Sequence, residues 1–120
     1  MSKRRVVVTG LGMLSPLGAS VETSWEGLTA GHSGIAPIAA FDADSFPVRF
    51  GGAVPEFDMS SYLPAKEARR MDGFIQWGLA AGIQAIRHSG LEDSDSDLSR
   101  VGVAMGSGIG GINTLSLIHI

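Results

Sequence analysis

The sequence predicts an α/β layered protein, and three features carry that expectation. Two short valine-rich runs, Arg5-Val6-Val7-Val8-Thr9 and Arg100 to Met105, each close on a glycine and read as buried strands. Helical apolar spacing lies between them, so the order is strand, helix, irregular segment, helix, strand, that of an α/β layer architecture. The 17 glycines in 120 residues follow no strict period, which excludes collagen and flexible linkers. In a chain that is 44% hydrophobic and 18% charged, they point to tight turns and close backbone approach around a packed core.

The elements follow in order. After the first run, Gly12, Ser15, Pro16 and Gly18 make a loop, and Ser20 is a good helix N-cap. Val21, Trp25 and Leu28 fall at i, i+4 and i+7 as the apolar face of a short helix, with Glu22 in its first turn and Gly31 as its stop. Residues 32–62 read as irregular, with a short strand expected within Arg49 to Val54. Pro64 suits the first turn of a helix running through Arg70, and Asp72 the cap of another that ends near Ser89, with Gly90 as terminator. In that last helix Phe74, Ile75, Trp77, Leu79, Ile83 and Ile86 surround the axis, the pattern of a buried helix. Gly78 and Gly82 sit one turn apart, where another element is expected to pack very close. No internal repeat and no linker divides the chain.

Several function classes are disfavoured. A formal net charge of −3 offers no positive field for nucleic acid. With no cysteine there is no disulfide, no thiolate metal site and no thiol nucleophile in these residues. Lys3, Arg4 and Arg5 ahead of an apolar stretch imitate a secretion signal, but Thr9, Gly10, Gly12, Ser15 and Pro16 interrupt it. No run approaches the ~18–20 apolar residues of a membrane span, so a cytoplasmic protein without membrane partners is expected. Asp93 to Asp97 begins like a calcium loop, yet Leu98 and Ala104 stand where glycine and glutamate are required. His32, His88 and His119 have no partner at ligand spacing, so no metal site is expected.

Two constellations remain. Gly106-Ser107-Gly108-Ile109-Gly110-Gly111 satisfies the dinucleotide-loop pattern, which without a following helix and a ribose-binding acid is weak. Lys66, Arg69 and Arg70 share one face of a helix at i, i+3 and i+4. Such a trio in an acidic chain docks an acidic partner, or else forms a solvated face with Glu67 as counter-charge.

Four segments together resemble one family, the elongating β-ketoacyl-[acyl-carrier-protein] synthases, in the synthase II branch. They are Arg4 to Gly18, Trp25 to Ile35, Lys66 to Gly78, and Val101 to Gly111, in the family's order and spacing over about residues 3–112. The resemblance implies part of a thiolase-like fold of layered α/β/α type, with residues 1–112 its N-terminal portion and 113–120 an atypical truncated tail. It implies condensation of an acyl thioester with malonyl-[acyl-carrier-protein], release of carbon dioxide, and a homodimeric enzyme of fatty acid biosynthesis. The only prosthetic arm expected is the phosphopantetheine of the partner acyl carrier protein. Lys66, Arg69 and Arg70 match positions resembling the family's carrier-docking patch. Ile109, between Gly108 and Gly110, matches an apolar residue that resembles a gate to the acyl tunnel. The family's catalytic cysteine and two histidines match no position here, so no catalytic residue is assigned. By itself the chain is expected to be inactive and poorly stable, and His119 gains no catalytic role. Alternative readings are a small nucleotide-binding module built on Gly106–Gly111 and a non-catalytic partner subunit of the same family.

Overall fold

The computed structural model describes residues 3–112, which form two compact units. One unit runs from Met13 to Asp58, and the other combines residues up to Gly12 with those from Met59 onward.

In the Met13–Asp58 unit, helix α1 spans Val21–Thr29. Its start is set by Ser20, as the sequence predicts: the Thr23 N–H donates to the Ser20 hydroxyl, and the Ser20 N–H donates to Thr23 Oγ1, each at 3.2 Å. This reciprocal pair satisfies two N–H groups at the helix entry. Gly31, with φ of 72°, turns the chain away after the helix. The buried face differs from the expected one. Ser24 and Gly27 are buried, whereas Trp25 and Leu28 are 63% and 59% exposed. The reason lies in the loop before the helix. Ser24 Oγ lies 2.7 Å from Ser15 Oγ, and Leu17 stacks on Gly27, whose missing side chain leaves room for it. Further along, Ala36–Pro37 (β1) pairs antiparallel with Phe50–Gly51 (β2). The strand expected within 49–54 is thus two residues long.

In the other unit, α2 is the four-residue turn Ala65–Ala68 and α3 the long helix Gly73–Ser89. Pro64 stands at the N-cap of α2, Asp72 at the N-cap of α3, and Gly90 closes α3 in the left-handed conformation (φ 65°, ψ 18°). Two extended stretches of chain lie against α3. On one side the backbone at Gly10 and Gly12 rests on the helix backbone: a β-carbon at Gly12 would fall on the Ala81 carbonyl oxygen and 2.7 Å from the Ala85 nitrogen. The Leu11 N–H between them donates to His88 Nδ1 at 3.0 Å, which ties this stretch to the last turn of the helix. On another side Met105 lies over Gly78 and Gly82, with its sulfur 3.1 Å from where a Gly78 β-carbon would stand. The expectation that these glycines mark close packing is met there.

The two buried strands expected at residues 5–9 and 100–105 are corrected. Neither forms a strand, and Val6, Val8 and Val103 are about four-fifths exposed. A strand exists only when a neighbour takes up its N–H and C=O groups, and no described residue lies beside these runs as such a partner. For the same reason α3 is covered on only part of its circumference. Ala80 is fully buried, while Ile75 and Trp77 remain partly exposed.

Gly12→Ala is expected to destabilise the unit by about 1–3 kcal/mol, because the new methyl meets backbone that cannot rotate away. Gly102→Ala, where nothing lies within 4 Å of the added carbon, is the control and should change little. Paired denaturant melts of the 120-residue chain check this, and equal midpoints for the two variants would refute the packing.

Candidate functional site

The basic trio sits on and just after α2. Glu67 and Lys66 lie within the helix, and Arg69 continues it in right-handed helical conformation (φ −64°, ψ −16°). Tighter hydrogen bonds, Arg70 N–H to Glu67 O at 2.9 Å and Met71 N–H to Ala68 O at 3.1 Å, carry the turn to Met71. The helix is therefore shorter than the sequence pattern suggests, yet its coil persists through Arg70 and keeps the three cations on one turn. All three are exposed. Among the described residues the ion pair is Arg49 with Asp44 at 3.9 Å, and Glu67 does not pair with any of the three cations. Of the two sequence readings of this face, the one with Glu67 as counter-charge finds no ion pair here.

Two side chains that sequence reasoning missed hold this turn in place. Gln76 of α3 reaches back and donates its side-chain N–H groups to the carbonyls of Ala68 and Met71, both at 2.9 Å. Its signal in the sequence is a polar amide inside the apolar run Phe74-Ile75-Gln76-Trp77. Before Pro64, the 3₁₀ turn Met59–Ser61 leads into Tyr62, whose hydroxyl accepts from Gln84 Nε2 at 3.0 Å. The Arg87 guanidinium stands 5.6 Å from the centre of the Tyr62 ring and donates to the Ser61 carbonyl at 3.3 Å.

The glycine-rich segment meets the other end of the same helix. Gly110, with φ of 74°, presses against the Phe74 ring, a β-carbon there standing 3.1 Å from Cζ. At Gly111 an added carbon would collide with the Asp72 carboxylate. Gly108, by contrast, has open space around it, and Ile109 is 76% exposed. The loop is thus anchored at 110–111 and unsupported at 108–109. An apolar cleft of about 330 Å³ lies beside it, lined by Phe74, Ile75, Trp77, Leu79, Met105 and Ser107 among others. A second cleft, of about 280 Å³, is bordered by Asp72, Phe74, Trp77 and Gly110. Ile109 lines neither. Among the described residues no cluster of metal-ligating side chains occurs, and no helix is long and apolar enough to cross a membrane.

A model of the β-ketoacyl synthase N-terminal domain matches residues 3–118, and the chain belongs to that family. It is 57% identical over 119 residues to the 3-oxoacyl-[acyl-carrier-protein] synthase 2 of Vibrio harveyi, covering 99% of this chain and 29% of that protein. With the synthase 2 of Coxiella burnetii it shares 49% over 112 residues, 93% of this chain and 27% of the relative. The solved structure of the ishigamide ketosynthase/chain length factor superposes with a TM-score of 0.63 at 32% identity, over 84% of this chain and 24% of that one. The chain therefore spans less than a third of the length of these relatives. Family membership leaves the nucleotide-module alternative without support, as does the position of Gly110 and Gly111 against α3.

Gly110→Ala is expected to lose about 1–3 kcal/mol, because it combines a left-handed backbone with the Phe74 ring. Gly108→Ala should stay within about 0.5 kcal/mol, as substitutions at unencumbered surface positions do. Thermal melts of the two variants side by side decide it, and a neutral Gly110→Ala would remove the anchor.

Proposed function

We propose that this chain supplies the carrier-docking surface and the acyl gate of a 3-oxoacyl-[acyl-carrier-protein] synthase. The observation that carries the proposal is the exposed turn bearing Lys66, Arg69 and Arg70 without an acidic partner, in a chain 57% identical to a synthase 2. A patch of unpaired cations attracts an acidic carrier over several ångströms and fixes its orientation on arrival. The partner is an acyl carrier protein, whose phosphopantetheine arm delivers the substrate, and the working enzyme is a cytoplasmic homodimer.

The chemistry divides between residues present and absent here. A thiolate must take the acyl group, breaking the thioester and releasing the carrier's thiol. Malonyl-carrier then loses carbon dioxide, and its carbanion attacks the enzyme-bound acyl carbonyl. The new carbon–carbon bond forms as the thiolate leaves. No cysteine occurs among these 120 residues, so the nucleophile comes from elsewhere in the working enzyme. The loop Gly108-Ile109-Gly110 contributes gating: a fixed end at Gly110 and a free end at Gly108 let Ile109 swing aside for an acyl chain. The 32% identical structure couples a ketosynthase with a chain length factor, which keeps a non-catalytic partner subunit as the second reading. The higher identity to synthase 2 relatives favours the condensing enzyme.

The test is a hybrid enzyme in which this chain replaces the matching residues of the Vibrio harveyi synthase. Reversing Arg69 and Arg70 to Glu should raise the KM for acyl-carrier substrates roughly tenfold at low ionic strength and less as salt screens the contact. Unchanged KM across a salt series would remove the docking role. In the same hybrid, Ile109→Phe should shorten the acyl chains accepted while sparing short ones. Undiminished turnover of long acyl substrates would remove the gate.

A further inference from the structure

A four-residue helix cannot hold its own direction in water, since helix nucleation is unfavourable and a single turn gains too few hydrogen bonds to offset it. The direction of α2 is therefore set by what grips it. Two grips are present, one at each end. Upstream, Tyr62 and Ser61 are tied to α3 through Gln84 and Arg87. Downstream, Gln76 donates to the carbonyls of Ala68 and Met71.

The downstream grip is the more telling. The last carbonyls of a helix lack partners within it, and Ala68 O is one of them. It accepts the Met71 N–H at 3.1 Å and Gln76 Nε2 at 2.9 Å, while Met71 O accepts the second N–H of the same amide. These two carbonyls bracket Arg69 and Arg70. One half-buried side chain therefore pins the backbone on both sides of two of the three cations, through hydrogen bonds to main-chain carbonyls.

We propose that Gln76 is a positioning residue for carrier recognition: it holds the turn 68–71 so that Lys66, Arg69 and Arg70 present one rigid face. The inference rests on the docking reading above and adds the residue that makes the patch specific. Without that amide the cations remain, but the turn bearing them must be ordered again each time a carrier docks, and that ordering subtracts from the binding free energy.

Gln76→Met in the hybrid enzyme keeps length and removes both donors without altering charge. Its KM for acyl-carrier substrates should rise about threefold to tenfold, or roughly 0.7–1.4 kcal/mol. Its kcat should hold, and so should turnover of a small pantetheine thioester that needs no docking. Because every charge is retained, the salt dependence of KM should match the parent's, unlike that of the Arg69→Glu, Arg70→Glu variant. Gln76→Asn, which keeps the amide on a shorter stem, should fall between parent and Gln76→Met. Parental KM in Gln76→Met, while the charge-reversed variant binds poorly, overturns the positioning role. So does an equal loss on carrier-borne and small thioesters, which marks a merely structural residue. If charge reversal itself leaves KM unchanged, the docking reading falls instead, and the two failures are told apart.

Discussion

Backbone laid directly on a helix is the contact on which the described part of the larger unit depends. Gly10 and Gly12 bring one strand of chain against the carbonyls of Ala81 and Ala85, and Gly78 and Gly82 admit Met105 on another face of α3. Removing side chains at the contact lets main chain approach main chain, at an expense of about 1 kcal/mol in propensity for each glycine inside the helix. What is gained is proximity. The Leu11 N–H comes close enough to bond His88, and the N-terminal segment is indexed to the helix by a hydrogen bond as well as by shape. Every candidate functional feature then refers back to α3: the cationic turn through Gln76, Gln84 and Arg87, and the glycine-rich loop through Asp72 and Phe74.

This arrangement separates two kinds of side chain by task. The cations Lys66, Arg69 and Arg70 are exposed and make no ion pair among the described residues, which leaves their charge facing solvent. The groups that hold them are amides and a ring-stacked guanidinium, with their donors turned toward backbone carbonyls or the tyrosine hydroxyl. The Gln76 amide fixes the geometry of the turn 68–71 without adding a charge to it.

Much of the local structure was legible because its causes are local. Ser20, Pro64, Asp72 and Gly90 mark helix boundaries through capping and backbone preference, and the structure places them at those boundaries. The basic trio was legible as a face because helical spacing alone brings those positions together. The failures are of the opposite kind. Val6 to Val8 and Val101 to Val103 carry a strand composition, but strand formation is a property of pairs, and no described residue pairs with them. The apolar stripe Val21, Trp25 and Leu28 was misassigned because Ser24 and Gly27 are small enough for the preceding loop to pack on them. Gln76 escaped notice because its partners are carbonyls, which no side-chain pattern reveals. The expectation of a truncated tail at 113–120 lies outside the described residues.

The exposed valines follow from the lack of a strand partner among the described residues. The chain covers 29% of the length of its Vibrio harveyi relative, and a run of strand composition becomes a strand only where a neighbour takes up its N–H and C=O groups. Burial should therefore be poorest in the unpaired runs, and best where contacts are supplied by near neighbours in sequence or by α3. That is the distribution found. Val6, Val8 and Val103 stand in solvent, whereas Ala80 at the middle of α3 is fully enclosed. The cationic turn belongs to the second group, since its hydrogen-bonded attachments run to α3 across no more than 26 residues of chain. A cationic turn built on such attachments keeps its form through contacts that the described residues themselves supply.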